Sequence, residues 1–437
     1  MRLHHRQRIY HRRRPYRAVT PASLPAQTRG GEWRRNWPLV ILTALALTSS
    51  PATLPVYSIG VLTGPLEAEF GWSRATIQAA ITFSTGLGFF GGPLGGWLVE
   101  RFGVRRSILG GIVGLGGTVL VCAAMTGSAW QLYLLYAAMA LLGAGAGAVS
   151  WTFLIADRFV RSRGLALGVA LSGTGLAAFI TPRIAVAGLE WGGWQGAYIW
   201  LAGFCLLLIL PLCLLGLPRG TGGHRAGSLP ETEPPRAGLT LGAAVRGHRF
   251  WLIGVATFCI YVAVGGLIPN LVPALTDSGL SQGEAVSIMG FFGLAIVAGR
   301  ILVGFFVDIF WAPLVASAVL IPAAIACFLI QQPLEFVAYA MAAMVIGMAT
   351  GMEFDMLGFL AARYLGLAHF ARIYGRLYIF VALGAGLAPP AFAFAYDTFG
   401  NYGWPLTISA GLLLLGAGCF LALGRYPAER EFALSAQ

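Results

Sequence analysis

Four ionisable residues stand inside long apolar runs: Arg183, Arg300, Glu353 and Asp355. A charge at hydrocarbon depth costs about 2.5–3.5 kcal/mol even on insertion scales, so each marks a candidate functional position. A guanidinium offers a planar fork that matches a carboxylate. A carboxyl group in such a place can hold and release a proton. Glu353 and Asp355 are two residues apart, about 200° around a helix, so they do not share a face. One is expected to face a cavity and the other to pack sideways. All six histidines lie in the N-terminal segment or in loops, so a proton relay has to use the carboxylates.

The elements that hold these residues follow from composition. Of the 437 residues 57% are hydrophobic and only 11% are charged, against about 25% charged in soluble domains. So few charges cannot cover a soluble surface. The fold class is an all-α membrane protein, and soluble enzymes and nucleic-acid binders are excluded despite a net charge of +12. There is no lysine, which removes Schiff-base chemistry and the P-loop lysine. The cysteines at 122, 205, 213, 259, 327 and 419 all fall in apolar stretches, so neither disulfides nor a metal site is expected, and no cofactor is implied.

About 20 apolar residues cross a bilayer. On that rule the chain holds twelve spans, near 37–60, 74–98, 106–126, 130–156, 165–187, 196–217, 249–271, 284–307, 312–330, 335–360, 375–396 and 404–424. Residues 1–36 form an arginine-rich tail without the apolar region of a secretory signal. Residues 218–248 read as a flexible linker, and 426–437 as a short C-terminal tail. The linker divides the spans into two six-helix bundles, 37–217 and 249–425. With twelve spans, one membrane face receives both termini and the linker, and it carries 26 of the 29 arginines. The positive-inside rule makes that face cytoplasmic. Only Arg74 falls in a loop on the other side.

The halves repeat weakly at an offset of 204–208. Gly96–Glu100 corresponds to Gly304–Asp308, and the Gly143/Gly147 pair to Gly347/Gly351. Two similar bundles around a midplane site are the plan of a carrier with alternating access. No loop is long enough to house a nucleotide-binding domain, so the driving force has to be a gradient. Mid-span glycine clusters such as Gly143–Gly147 read as close helix packing rather than dinucleotide loops.

The loop after the second span reads Gly95-Gly-Trp-Leu-Val-Glu100-Arg101-Phe-Gly103-Val-Arg105-Arg106. It resembles the signature G-x-x-x-[DE]-[RK]-x-G-[RK]-[RK] of the major facilitator superfamily, in the position expected there, with glutamate for the usual aspartate at 100. The resemblance implies twelve helices in two pseudo-symmetric bundles and a gating role for Gly96, Glu100, Arg101, Gly103, Arg105 and Arg106. Residues 64–74 and 363–375 are similar to the bacterial monocarboxylate-porter and oxalate/formate-antiporter branch. That likeness implies a small organic anion as solute and protons or a counter-anion as coupling partner. It also implies a non-enzymatic monomer in the inner membrane.

Within this resemblance the eighth and tenth spans face the cavity, and Arg300 takes the place of a substrate-binding arginine. Arg300 lies eight residues before Asp308 and Asp355 eight before Arg363, so both sit about 12 Å from the cytoplasmic boundary. Two readings of Arg300 stand: an anion anchor with Glu353 and Asp355 as proton carriers, or a structural ion pair in a carrier of a larger amphiphilic solute. The eleventh span has only Arg376, near its start, which favours a monoanion over a dicarboxylate. Asp277 is a coupling candidate by analogy, although it lies in an outer loop. Trp151 either lines the cavity or packs, and Arg183 either sits at the cavity mouth or snorkels to the headgroups. Reporter fusions near Gly222 and at the C-terminus are both expected to report cytoplasm. A periplasmic signal at either would remove the twelve-span topology.

Overall fold

The structure, a computed structural model, describes residues 29–159, 162–218, 238–366 and 369–427. Most of the expected N-terminal tail (1–28), the middle of the linker (219–237) and the C-terminal residues 428–437 lie outside that set. The described residues are almost wholly helical, with one isolated bridge between Gly238 and Gly366.

Eight helical segments are individually long and apolar enough to cross a membrane, and the bent pair Ala129–Leu142 and Ala144–Arg158 makes a ninth. One of the eight, Leu165–Gly216, is 52 residues long, enough for two crossings. Gly192 and Gly193 leave helical geometry there, Gly193 at φ 63°, and the chain folds back on itself. The other two expected crossings are interrupted or carry charge at their ends. The first is Arg29–Leu47 followed by Leu54–Phe70, and the second is Arg74–Phe102.

The break in the first span has a local cause. Pro51 and Pro55 cannot donate to a helical ladder, and the Thr53 hydroxyl donates instead to the Leu47 carbonyl at 2.8 Å. The first helix also starts earlier than expected, at Arg29 rather than 37. Glu32 of its first turn is buried and accepts the Ser162 N–H at 3.2 Å, which fastens the turn to the start of the fifth span.

The remaining spans follow the expectation to within a few residues: Val104–Cys122, His248–Asp277, Gln282–Ile309, Ala312–Leu329, Phe336–Leu365, Phe370–Phe399 and Gly403–Leu421. Ser73 and Ser281, separated by the repeat offset of 208, both cap the helices that follow them. Each cap satisfies a backbone donor that the helix itself leaves unpaired.

The two halves touch through three span pairs: second with eleventh, fifth with eighth, and first with seventh. Buried apolar packing runs continuously through the C-terminal half and into the part of the N-terminal half remote from the arginines. The arginine-rich ends of the N-terminal half form a separate cluster of their own (Leu39–Leu47, Val99–Ile112, Trp151–Phe159, Ile209–Leu217). Among the described residues, buried apolar packing therefore joins the halves on the face opposite the arginines and not on the arginine-rich face.

Close approach at the fifth–eighth contact depends on two glycines. A Cβ on Gly293 would lie 2.6 Å from the Gly175 carbonyl oxygen, and one on Gly175 would lie 2.8 Å from that of Gly293. Gly293→Val is expected to destabilise this arrangement by about 1–3 kcal/mol, the usual cost of overpacking. Thermal unfolding of purified protein should show a lowered Tm, with Gly418→Val, which has open space around its Cβ, as an unchanged control.

Candidate functional site

Arg300 projects from the eighth span nine residues before its end at Ile309, about 13 Å along the helix. Its Nε lies 3.3 Å from Asp355 Oδ2 on the tenth span. This is an ion pair without hydrogen-bond alignment. Its Nη1 donates across the halves to the Leu171 carbonyl at 3.1 Å. That carbonyl is free because the fifth span breaks at Ser172, where the Gly175 N–H donates to Ser172 rather than to Leu171. The Thr174 hydroxyl is the other donor to it, at 2.9 Å. The expected Arg300–Asp355 pairing is thus present, and a backbone oxygen from the opposite half completes it.

Glu353 is two residues away and turns toward Tyr261 of the seventh span and Tyr57 of the first, still within electrostatic reach of Arg300. Its Oε2 is buried with no hydrogen-bond partner among the described residues. A partnerless oxygen at this depth is costly while the group is charged, so this carboxylate is poised to take a proton or a ligand donor. The two carboxylates part company here: Asp355 is the one in contact with the guanidinium, and Glu353 acts on it only at longer range. Tyr57 and Tyr261 were missed in the sequence. They are 204 residues apart, at the repeat offset, and that coincidence is the signal that would have found them.

The cleft around Arg300 and Asp355 has a volume of about 180 Å³ and is otherwise lined by Val303, Gly304, Val307, Met352, Met356 and Phe359. Sites for drug-sized ligands run to about 300–1,000 Å³. This one suits a few heavy atoms.

Other expected residues lie elsewhere. Trp151 is fully buried in the N-terminal cluster, and its indole N–H donates to the Ala146 carbonyl at 3.1 Å. The reading that placed it at the cavity is corrected: the 53° bend between Ala129–Leu142 and Ala144–Arg158 carries it into the packing. Arg183 does not snorkel. Its Nη1 donates to the Phe179 carbonyl at 2.6 Å, and its guanidinium lies over the Phe179 ring beside Gly290 of the eighth span.

In the loop motif, Glu100, Arg101 and Arg106 are exposed. Arg105 donates to the Leu217 and Leu214 carbonyls, at 2.5 and 2.7 Å, and so caps the end of the sixth span. Gly103 adopts φ 82°, the left-handed turn between the second and third spans, while Gly96 has open space around its Cβ. A cross-half gate at this motif is not assembled among the described residues, in keeping with halves that are parted on this face.

Asp277 belongs to a different cluster from Arg300, which lies 18 residues inside the eighth span, about 27 Å along its axis. Arg74, at the start of the second span, grips Asp277 with two bonds, Nη1–Oδ2 at 2.5 Å and Nη2–Oδ1 at 3.1 Å. Its Nε reaches Glu67 at 3.4 Å, Nη1 donates to Tyr402 at 3.2 Å, and the guanidinium stands 4.0 Å over the Tyr396 ring. Beside it, the Ala75 N–H donates to Asp397 at 2.9 Å. Four groups of the C-terminal half thus clasp the second span on the closed face. The sequence signal was Arg74 itself, the lone arginine in a loop on the side that the charge bias leaves bare.

Comparison with known proteins agrees with this architecture. The model of the family described as Major Facilitator Superfamily matches residues 39–375. The chain is 26% identical over 440 residues to monocarboxylate transporter 11 of Homo sapiens, covering 94% of this chain and 87% of that protein. It is 28% identical over 243 residues to the oxalate:formate antiporter of Oxalobacter formigenes, covering 54% and 56%. A bacterial homologue of the human lysosomal transporter Spinster, solved in an inward-facing, unoccupied conformation, superimposes with a TM-score of 0.64 at 17% identity, covering 92% of this chain and 100% of that one.

The clasp generates a test. With its side chains partly exposed, the Arg74–Asp277 pair is worth about 1 kcal/mol, so Arg74→Gln should raise the population opened on that face about fivefold. A Thr82→Cys reporter, normally engaged with the Gly386 carbonyl, should then react faster with an impermeant maleimide added on that side. Glu100→Gln, exposed in this arrangement, should not produce that increase.

Proposed function

Since the chain belongs to the major facilitator superfamily, we propose that this non-enzymatic carrier moves a small organic monoanion, with Arg300 as the anchor for its carboxylate. Glu353 and Asp355 carry the coupling proton, or release the anchor to a counter-anion during exchange. The observation that carries this reading is the double engagement of Arg300: a misaligned ion pair with Asp355 and a bond to a carbonyl of the opposite half. An incoming carboxylate replaces the misaligned partner with a bidentate one, the geometry for which a guanidinium is suited. Protonation of Asp355 or Glu353 would compensate for the added negative charge.

The 180 Å³ cleft supports a solute of a few heavy atoms over a bulky amphiphile. The relatives whose names specify monocarboxylates and oxalate or formate support the same class. On this reading the arginine-rich face is cytoplasmic, both termini lie there, and the structure is inward-open. The loop motif at Glu100 and Arg101 would close that face in the alternate state, while the Arg74–Asp277 clasp would open.

Neutralising variants decide between anchor and structural pair. Arg300→Ala should cut uptake of labelled substrate into proteoliposomes about thirtyfold, since charge-assisted hydrogen bonds to the solute's carboxylate are worth about 2 kcal/mol. Arg300→Lys should also be impaired, because the fork is lost. Asp355→Asn or Glu353→Gln should retain exchange of substrate for substrate but lose dependence on the pH gradient. Full transport in Arg300→Ala combined with Asp355→Asn would overturn the anchor and return the pair to a structural role.

A further inference from the structure

On the arginine-rich face of the C-terminal half there is a second, larger groove of about 630 Å³, which borders the solute cleft at Val307. It is lined by Val307, Ile309, Phe310 and Trp311 from the eighth-to-ninth connection, Arg363 at the end of the tenth span, and Gly424, Arg425 and Tyr426 after the twelfth. Val307 also lines the solute cleft; the transport reading uses none of the others.

The groove is built, not merely exposed. Tyr364 donates to the Gly424 carbonyl at 2.5 Å, and the Trp311 indole donates to the Tyr364 hydroxyl at 3.1 Å. The Ala312 N–H donates to the Tyr426 hydroxyl at 3.0 Å. These bonds fix the chain after the twelfth span against the start of the ninth. The Arg363 guanidinium stands 5.0 Å from the Tyr426 ring centroid and 5.6 Å from that of Phe359. Aromatic stacking occupies the face of a guanidinium and leaves its N–H edge to bind an anion. Arg425 is exposed at the same rim.

We propose that this groove holds an anionic phospholipid of the arginine-rich leaflet, its phosphate between Arg363 and Arg425 and its acyl chains along Ile309 and Phe310. Three observations point to a lipid. The two guanidiniums match a phosphodiester in charge and fork geometry. The apolar wall is open to the surroundings, with Ile309 59% and Phe310 54% exposed. The groove also lies where four span ends meet the headgroup level, flanked by Trp311 and Tyr426, side chains whose apolar body and polar tip suit that boundary. A lipid seated there would brace the ends of the eighth, tenth and twelfth spans.

Native mass spectrometry of the full chain in neutral detergent, titrated with phosphatidylglycerol and with phosphatidylcholine of the same acyl chains, tests this. Tighter retention of phosphatidylglycerol is expected, weakened about fivefold for each arginine removed, the contribution of one basic residue near an anionic surface. Arg363→Gln and Arg425→Gln should each show that loss and the double variant both losses, while Arg246→Ala, which removes a charge from the same face outside the groove, should show none. Arg425→Gln lies beyond the last helix and keeps the comparison readable if the double variant does not fold. Equal binding of phosphatidylcholine, undiminished phosphatidylglycerol binding in Arg425→Gln, or thermal stabilisation by inorganic phosphate equal to that by the lipid would overturn the proposal.

Discussion

A guanidinium at membrane depth cannot be left unpartnered, and much of this molecule is arranged around that constraint. The Arg300 side chain is only 10% exposed, and the tenth span supplies it with a carboxylate and the broken fifth span with a backbone carbonyl. The cost of an isolated charge is far larger than the net gain from any one of these contacts. Arg300 therefore has to exchange partners and cannot simply lose them. That makes it sensitive to whether the halves are together at the Leu171 level and to whether a carboxylate or a solute occupies the cleft.

The same logic, with weaker forces, applies at the closed face. The Arg74 side chain is only 12% exposed but its acidic partners are more open to solvent, and its contacts with Asp277, Glu67, Tyr402 and Tyr396 are individually modest. Their combined effect is geometric. They join the start of the second span to the ends of the seventh and eleventh, while Gly175 and Gly293 allow the fifth and eighth to touch backbone to backbone. Glycine contacts of this kind work in a membrane because lipid gives no hydrophobic drive for helices to associate, and close van der Waals packing has to supply it.

Much of this was legible in the sequence. Apolar run length located most of the long helices, and the pairing of Arg300 with Asp355 followed from equal depth on two of them. What the sequence hid was rotation and breakage. Trp151 was misplaced because the bend at Gly143–Gly147 turns its helix, and a uniform helical wheel has no means of representing a bend. The available carbonyl at Leu171 exists only because the fifth span breaks, although no proline stands there. Asp277 could be placed in an outer loop, but not against Arg74 of the other half, because a contact 203 residues apart leaves no local pattern. The tyrosines at 57 and 261 were hidden for a different reason: hydroxyls carry no charge signal in an apolar run, and only their shared repeat position marks them.

That repeat position bears on how the two halves divide their labour. Tyr57 and Tyr261 occupy equivalent places, both buried and both within electrostatic reach of Glu353. The charges do not follow the symmetry. The positions equivalent to Arg300 and Glu353 are Gly92 and Val149, and the fourth span spends its turn at that level on a kink where the tenth stays helical and presents two carboxylates. A solute anion would thus be gripped by the C-terminal half, with the N-terminal half contributing a tyrosine and the Leu171 carbonyl. Such an arrangement would tie the ligand to one half and let the other move against it, because among the described residues the N-terminal group hydrogen-bonded to Arg300 is a backbone oxygen, which the guanidinium can give up to a better acceptor.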